Sequence, residues 1–179
     1  EIRYNTEATP ELIASLSPYA VIIATGASSV KPRSIPGVDL PNVCTTTEIL
    51  DGTVQLSKQK VAVIGSGMTG LETAELLCAQ GNRVTVVEMA DSIAPGTWMQ
   101  HLDDVMPRLR EKKTTILTGE KLAEIYSDKI VTENVKTKVK TEIPVDAVVL
   151  ALGSRPEQAL FTELEKSGIK IFNVGDSSK

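Results

Sequence analysis

Three glycines, spaced Gly65-x-Gly67-x-x-Gly70, stand between an apolar run and a helical pattern. Gly65 allows the chain to turn sharply, and Gly67 lacks a Cβ, so an anionic group can approach its backbone closely. Gly70 allows the following helix to lie close to the strands. The free N–H groups of the first helical turn and the helix dipole both favour a negative charge. This loop therefore predicts a site for the diphosphate of a dinucleotide.

An acidic residue completes the pattern, because a second apolar run, 84–87, ends at Glu88. In such a unit a carboxylate accepts hydrogen bonds from the hydroxyls of the adenosine ribose. It would repel a 2′-phosphate, and residues 89–92 contain no Arg or Lys to bind one, so we expect NAD(H) to be preferred over NADP(H). The alternative is an ordinary βαβ unit with a glycine turn and no ligand. The loop and this acid give the following predicted cofactor-binding residues: Gly65, Ser66, Gly67, Met68, Thr69, Gly70, Glu88 and Met89.

The elements around this loop alternate between buried strands and amphipathic helices. The helix after the loop is predicted at about 69–80, and a second helical pattern at 102–109 contains Pro107, which predicts a kink or a split there. Alternating polar and apolar residues over 121–143 predict an antiparallel meander. Strands are expected at 2–5, 19–24, 61–64, 84–87, 115–117, 145–152 and 169–174, with those at 19–24 and 145–152 buried on both faces.

Composition excludes several classes of function. The chain is 41% hydrophobic with a net charge of −4 and interspersed charges, so it has enough apolar material for a core and no basic surface for nucleic acid. It has no apolar run long enough to span a membrane and no visible signal peptide, so we expect a cytoplasmic location. Cys44 and Cys78 form no CxxC, and we predict no metal site and no catalytic acid or base. Because the chain begins at Glu1 in strand-like sequence, we expect it to be a piece of a larger protein.

Two segments of the sequence are similar to each other: VIIATGASSVKP at 21–32 and VVLALGSRP at 148–156. Each is an apolar strand that ends in Ala-x-Gly and continues through Ser and a basic residue to Pro. A glycine at the carboxyl end of a strand leaves space for a ligand across the sheet edge. This similarity predicts that two dinucleotide domains contribute strands to this chain. The alternative is coincidence between two buried strands, which would produce the same similarity.

The order of these motifs resembles the pyridine nucleotide–disulfide oxidoreductase family, in which an NAD(P) domain is inserted into an FAD domain. The segments VIIATGA (21–27), VAVIGSGMTGLE (61–72), VVLALGSRP (148–156) and NVGDSS (173–178) carry the resemblance. It implies an α/β, Rossmann-like FAD/NAD(P)-binding three-layer fold with a parallel sheet and an antiparallel β-meander, as a fragment of a two-dinucleotide-domain flavoprotein. The implied organisation is a partial FAD-binding domain at 1–26 and 154–179, a linker at 27–57 and an NAD(P)-binding domain at 58–153.

The resemblance also implies an activity, which is hydride transfer from NADH to FAD. Within the family, IPGVDLPNV (35–43) and VVEMADSIAPG (86–96) resemble NADH:flavin oxidoreductases of the 2,4-dienoyl-CoA reductase and enoate reductase type, which also carry FMN and an iron–sulfur cluster in domains outside this chain. A non-catalytic NAD(H)-binding module and a disulfide reductase with thiols elsewhere remain alternatives. Glu72 would lie near the nicotinamide, or is simply a solvated residue of the first helical turn. The further cofactor-binding residues implied are Ala24, Thr25, Gly26, Gly153, Gly175 and Asp176.

Overall fold

The computed structural model describes all 179 residues, which form two compact units: Glu1–Ser28 with Ser154–Lys179, and Ser29–Gly153. The strands are β1 (Val21–Ile23), β2 (Ala27–Ser29), β3 (Val43–Thr45), β4 (Lys60–Ile64), β5 (Arg83–Val87), β6 (Thr115–Leu117), β7 (Glu120–Ile125), β8 (Lys129–Asn134), β9 (Lys140–Pro144), β10 (Ala147–Leu150), β11 (Ser154–Pro156) and β12 (Ile171–Asn173). The helices are α1 (Pro10–Ser15), α2 (Thr46–Leu50), α3 (Met68–Ala79), α4 (Met99–Glu111) and α5 (Ala159–Leu164), and a 3₁₀ turn covers Gly175–Ser178.

The larger unit is built on a five-stranded parallel sheet in the order β3-β10-β4-β5-β6. A separate antiparallel sheet, β7-β8-β9, confirms the meander predicted over 121–143. Alternate residues of β4 face opposite sides of the parallel sheet. Val61 and Val63 pack with the helices, whereas Ala62 and Ile64 pack with Leu122 and other side chains of the meander side. The unit therefore has the three layers expected from the sequence, with the parallel sheet in the middle.

Helix α3 follows the glycine loop and buries Leu71, Ala74, Leu77 and Cys78 against the sheet, as its spacing predicts. Gly81, with φ +86°, ends the helical stretch because glycine readily adopts this left-handed conformation.

Helix α4 runs continuously from Met99 to Glu111 with Pro107 inside it, so the predicted split is wrong. Proline removes one hydrogen bond and costs about 3 kcal/mol in a helix interior. The carbonyl left free belongs to Asp103, an exposed residue that water can reach. The buried side chains of Val105 and Leu109, which pack in the same core as α3, offset the remaining cost.

Residues 27–57, predicted to be a linker, include two elements of the larger unit. Strand β3 pairs in parallel with β10 at the edge of the main sheet, and its three residues are buried. Helix α2 follows at once, with Thr45 and Glu48 forming a reciprocal capping box. This segment is ordered because its backbone groups pair with β10 and its apolar residues, such as Val38 and Leu56, enter the core.

The smaller unit contains α1, α5 and two short sheets, β1-β12 and β2-β11. Only the last residue of β2, Ser29, belongs to the larger unit. Its core consists of Ile13, Ile23 and Leu164. Strand β1 was expected to be buried on both faces, but Ile22 is 71% exposed because no element covers that face. Residues 2–5 form no strand, since Asn5 turns the chain with φ +52° and no neighbouring strand pairs with the segment. No helix in the chain is both long enough and apolar enough to cross a membrane.

Candidate functional site

The glycine loop lies at the carboxyl edge of the parallel sheet, where the direction of chain progression reverses. From β4 the chain continues outward to β5 and β6, whereas β10 and β3 lie on the other side of β4. Gly65 N donates to Val87 O at 2.8 Å, and Ala151 N donates to Ile64 O at 2.8 Å, so the ends of these three strands are held together. Ligands of open α/β sheets bind in the crevice at such a switch point.

Each of the three glycines meets a different steric requirement. Gly65 has φ +103°, and a Cβ there would lie 2.4 Å from Ala151 O. A Cβ on Gly70 would lie 2.3 Å from Gly65 O, so this glycine allows the helix to approach the loop. A Cβ on Gly67 would meet no atom within 4 Å. The space beside Gly67 is therefore open, which is the arrangement that a closely approaching diphosphate requires.

The N-terminus of α3 supplies hydrogen-bond donors to this open space. The first bond along the helix runs from Leu71 N to Gly67 O at 3.0 Å, so the amides of residues 67–70 precede the bonded ladder. No side chain caps this end of the helix. A chain of unpaired N–H groups at the positive end of a twelve-residue helix, beside open space, fits a phosphate group.

Glu88 follows the last residue of β5 and accepts hydrogen bonds from three donors. Its Oε2 accepts hydrogen bonds from Ser66 N at 2.9 Å and from Ser66 Oγ at 2.7 Å, and its Oε1 accepts one from Ala90 N at 2.8 Å. Burial acts to raise the pKa of Glu88, but these hydrogen bonds outweigh it and hold the pKa below its ordinary value. The residue is therefore a negative charge at neutral pH, although it is only 8% exposed.

Ser66 was predicted to contact the cofactor, but both of its donor groups point into the protein. The residue is fully buried, and its N–H and Oγ–H are both taken by Glu88. Its Oγ also accepts a hydrogen bond from Ala94 N at 2.8 Å. These groups form internal hydrogen bonds because the tight turn at Gly65 directs them towards β5. A contact between Ser66 and the cofactor stays a prediction.

A cleft of about 450 Å³ opens beside the loop and brings together five of the predicted residues: Gly65, Ser66, Gly67, Glu88 and Met89. Sequence reasoning did not find its other walls, which come from the start of β7, from residues 32–35 and from Pro95. Glu120 and Lys121 add charge there, while Ile35, Leu122 and Leu152 make much of the remaining surface apolar. Gly119, which turns the chain with φ +69° just after β6, is the signal that could have placed β7 at this edge.

The other predicted residues lie outside the walls of this cleft. Met68, Thr69 and Gly70 contribute to the helix N-terminus, and Glu72 is exposed on the next turn of α3. Gly153 has φ +83° and follows β10.

In the smaller unit, β1 and β12 are parallel neighbours, so residues 24–26 and 175–176 follow carboxyl ends at the same edge. Asp176 is exposed there, and Lys179 Nζ donates to its carboxylate at 2.7 Å. These segments therefore lie at an edge that a ligand could reach. Their role in holding FAD stays a prediction.

The two cysteines are buried and free. Burial, with a smaller contribution from the charge of Glu48, raises the pKa of the Cys44 thiol to about 11. The described side chains include no group of three or more His, Cys, Asp or Glu residues placed to hold a metal ion.

Comparison with known proteins gives consistent matches over nearly the whole chain. A family model for pyridine nucleotide-disulphide oxidoreductases matches residues 14–176. A bilirubin reductase of Mediterraneibacter gnavus is 36% identical over all of this chain and 27% of the relative. An NADH oxidase of Thermoanaerobacter brockii is 35% identical over 99% of this chain and 28% of the relative. The chain therefore spans about a quarter of the length of these relatives.

Solved structures give a similar result. A 2-naphthoyl-CoA reductase in complex with 2-naphthoyl-CoA superposes with a TM-score of 0.89 at 28% identity, over 99% of this chain and 27% of that one. A 6-hydroxypseudooxynicotine amine oxidase of Pseudomonas geniculata superposes with a TM-score of 0.89 at 25% identity, over 99% of this chain and 29% of that one. These matches agree with the Rossmann-like α/β fold described above.

Proposed function

Because the chain belongs to the pyridine nucleotide-disulphide oxidoreductase family, whose members use FAD and NAD(P)H, we propose that it is the NADH-binding portion of a flavin-dependent oxidoreductase. The observation that carries this proposal is the open space at Gly67, bounded by the unpaired amides of α3 and continuous with a cleft that contains Glu88. When bound, the nicotinamide supplies a hydride and the flavin accepts it. The residues of this chain bind and orient the dinucleotide.

In this proposal, three parts of the site each bind a different part of the dinucleotide. The amides of residues 67–70 hold the diphosphate, and Glu88 Oε1 accepts a hydrogen bond from the adenosine ribose. The apolar wall formed by Ile35, Leu122 and Leu152 suits a flat aromatic base, which is the adenine in this proposal. Glu72, on the exposed side of α3, is the residue proposed to lie near the nicotinamide.

Charge in the cleft supports a preference for NADH over NADPH. Glu88 is ionised at neutral pH, and Glu120 adds a second carboxylate to the walls. Lys121 is the one cationic side chain in the lining, and it lay outside the stretch 89–92 on which the sequence prediction was based. Two carboxylates against one ammonium group still repel the 2′-phosphate of NADPH, so the preference is retained in the proposal.

The electron acceptor lies beyond this chain in the proposal. Similarity to 2-naphthoyl-CoA reductase supports membership of the branch that includes enoate and dienoyl-CoA reductases, with FMN and an iron–sulfur cluster in other domains of the same polypeptide. A cytoplasmic location belongs to the same proposal. Thiol–disulfide chemistry within this chain is disfavoured, because Cys44 and Cys78 are both buried and unpaired.

The test is calorimetric titration of the chain with NADH and NADPH side by side. NADH is expected to bind at least about tenfold more tightly, a difference of about 1.4 kcal/mol. Glu88→Arg should narrow or reverse the preference, whereas Glu111→Arg makes the same charge change on an exposed residue outside the cleft and should not. Equal or tighter binding of NADPH by the unsubstituted chain would refute the preference, and binding of neither nucleotide would refute the proposed function.

A further inference from the structure

Ser66 is fully buried although it belongs to the proposed phosphate-binding loop. Its hydroxyl connects three segments of the larger unit: the loop itself, the end of β5 through Glu88, and the irregular stretch before α4 through Ala94. Ala94 is 2% exposed, so its N–H has no access to water in place of Ser66 Oγ. The hydroxyl thus satisfies one buried donor while donating to one buried acceptor.

These hydrogen bonds treat the two oxygens of Glu88 unequally. Oε2 accepts two hydrogen bonds, both from Ser66, whereas Oε1 accepts one, from Ala90. Each carboxylate oxygen has about two lone pairs to offer. Oε2 is therefore fully occupied, and Oε1 is the oxygen with a free lone pair. Since Glu88 lines the cleft, this free lone pair is the one available to a ligand.

We propose that Ser66 is a positioning residue that sets the nucleotide preference of the site. Its hydroxyl anchors Oε2 of Glu88, so that Oε1 is presented to the free hydroxyls of a ribose and the negative charge stays where a 2′-phosphate would lie. This inference rests on the proposed function, because it assumes that the cleft takes the adenosine half of NADH. Ser66 itself does not touch the nucleotide through its hydroxyl.

Ser66→Ala removes the hydroxyl and keeps the backbone N–H that donates to Oε2. Without the hydroxyl, Glu88 can rotate and its charge is less well stabilised. The Kd for NADH should rise about tenfold, while the Kd for NADPH should stay unchanged or fall, because a displaced Glu88 carboxylate repels the 2′-phosphate less. The Kd ratio, which is the Kd for NADPH divided by the Kd for NADH, is therefore the diagnostic quantity. Ser66→Cys, which restores a weak donor of similar size, should give an intermediate ratio.

Ser177→Ala is the matched control. Ser177 is also fully buried, and its hydroxyl donates to Asn173 Oδ1 at 2.7 Å, but it belongs to the smaller unit. Its removal should lower the melting temperature and leave the Kd ratio unchanged.

A second readout is the pH dependence of NADH binding. Loss of a donor to the Glu88 carboxylate raises the pKa of Glu88. As the pH is lowered, the affinity for NADH should therefore begin to fall at a higher pH in Ser66→Ala than in the unsubstituted chain.

The outcomes separate this inference from the proposed function. If the unsubstituted chain binds NADH and Ser66→Ala weakens the binding of NADH and NADPH equally, the hydroxyl only supports the fold and the inference is overturned. The same holds if Ser66→Ala changes neither Kd. If the unsubstituted chain binds neither nucleotide, the proposed function is overturned and the role of Ser66 with it. A fall in the Kd ratio, with partial recovery in Ser66→Cys, supports the inference.

Discussion

Gly67 and Gly70 should respond differently to the same added methyl group. A Cβ on Gly70 would lie 2.3 Å from Gly65 O and 3.1 Å from the Cβ of Ala151, whereas a Cβ on Gly67 would meet nothing within 4 Å. Gly70→Ala should therefore damage the fold, and Gly67→Ala should damage ligand binding alone. The two variants are matched, since each adds one methyl group to the same loop.

The magnitude for Gly70→Ala follows from two opposing terms. Overpacking costs about 1–3 kcal/mol, and we take the upper value because Gly65 O is a backbone atom that cannot rotate away. Alanine is favoured over glycine in a helix by about 1 kcal/mol, which reduces the loss to about 2 kcal/mol. For a chain of this length the melting temperature should fall by about 4–8 °C.

For Gly67→Ala the corresponding terms nearly cancel. Gly67 has φ −56° and ψ 167°, which alanine adopts without strain. Alanine is the poorer helix cap, but it also restricts the unfolded chain, so stability should stay within about 1 kcal/mol. The added methyl group instead occupies the space proposed for the diphosphate, and the Kd for NADH should rise at least about tenfold.

Thermal unfolding and calorimetric titration of both variants measure these quantities directly. The reasoning is refuted if Gly70→Ala melts at the temperature of the unsubstituted chain, since the close approach of α3 to the loop would then be wrong. It is equally refuted if Gly67→Ala keeps full affinity for NADH, because the open space would then not be where the diphosphate lies.

Two further predictions concern buried titratable groups. Glu88→Gln should lower the unfolding free energy by about 1–3 kcal/mol at pH 7, because its NH₂ must face an N–H donor of Ser66 or Ala90; the exposed control Glu111→Gln should not. Folding lowers the pKa of Glu88, so its charged form stabilises the fold at pH values above its ordinary pKa of 4.5, and this contribution is lost as the pH falls below that value. Chemical denaturation from pH 7 to pH 3 should therefore show that the difference in unfolding free energy between the unsubstituted chain and Glu88→Gln narrows in acid. A gap that widens in acid contradicts the assignment. At pH 8 a thiol with a pKa of about 11 is only about one-thousandth ionised, so Cys44 should react with a thiol reagent only after unfolding. Absorbance titration should count two thiols in denaturant and none promptly in the native chain, and a fast native reaction would mean that Cys44 is accessible.

The glycine loop and its flanking elements could be predicted because their signals are local. The runs that became β4 and β5 are continuous and apolar, and the spacing of Leu71, Ala74 and Leu77 is helical, so strand, turn and helix were each identified from neighbouring residues. The meander over β7 to β9 was equally accessible, because alternation with a period of two is visible within one segment.

The far wall of the cleft could not be predicted, because it depends on which strand ends lie side by side. Lys121 and Leu122 come from β7, a strand of the separate antiparallel sheet, which reaches the glycine loop only through the packing of the two sheets. The inward direction of Ser66 was also inaccessible, since it results from the backbone turn at Gly65 and a partner on another strand. The absence of a split at Pro107 was inaccessible for a related reason: the tertiary burial of Leu109 outweighs a local helix-breaking signal.

The position of β10 within the sheet has a consequence for biosynthesis. It lies between β3 and β4, yet it is the last of the five parallel strands to emerge from the ribosome. Until then, β3 has no neighbour and one side of β4 is an unpaired edge, the kind of edge that invites association with other nascent chains. Closing the sheet also requires contacts between residues far apart in the chain, such as Val43 and Val148, which slows folding. A chain truncated before residue 147 would thus lack the strand that joins β3 to β4, and it would be prone to aggregation and unable to form the crevice.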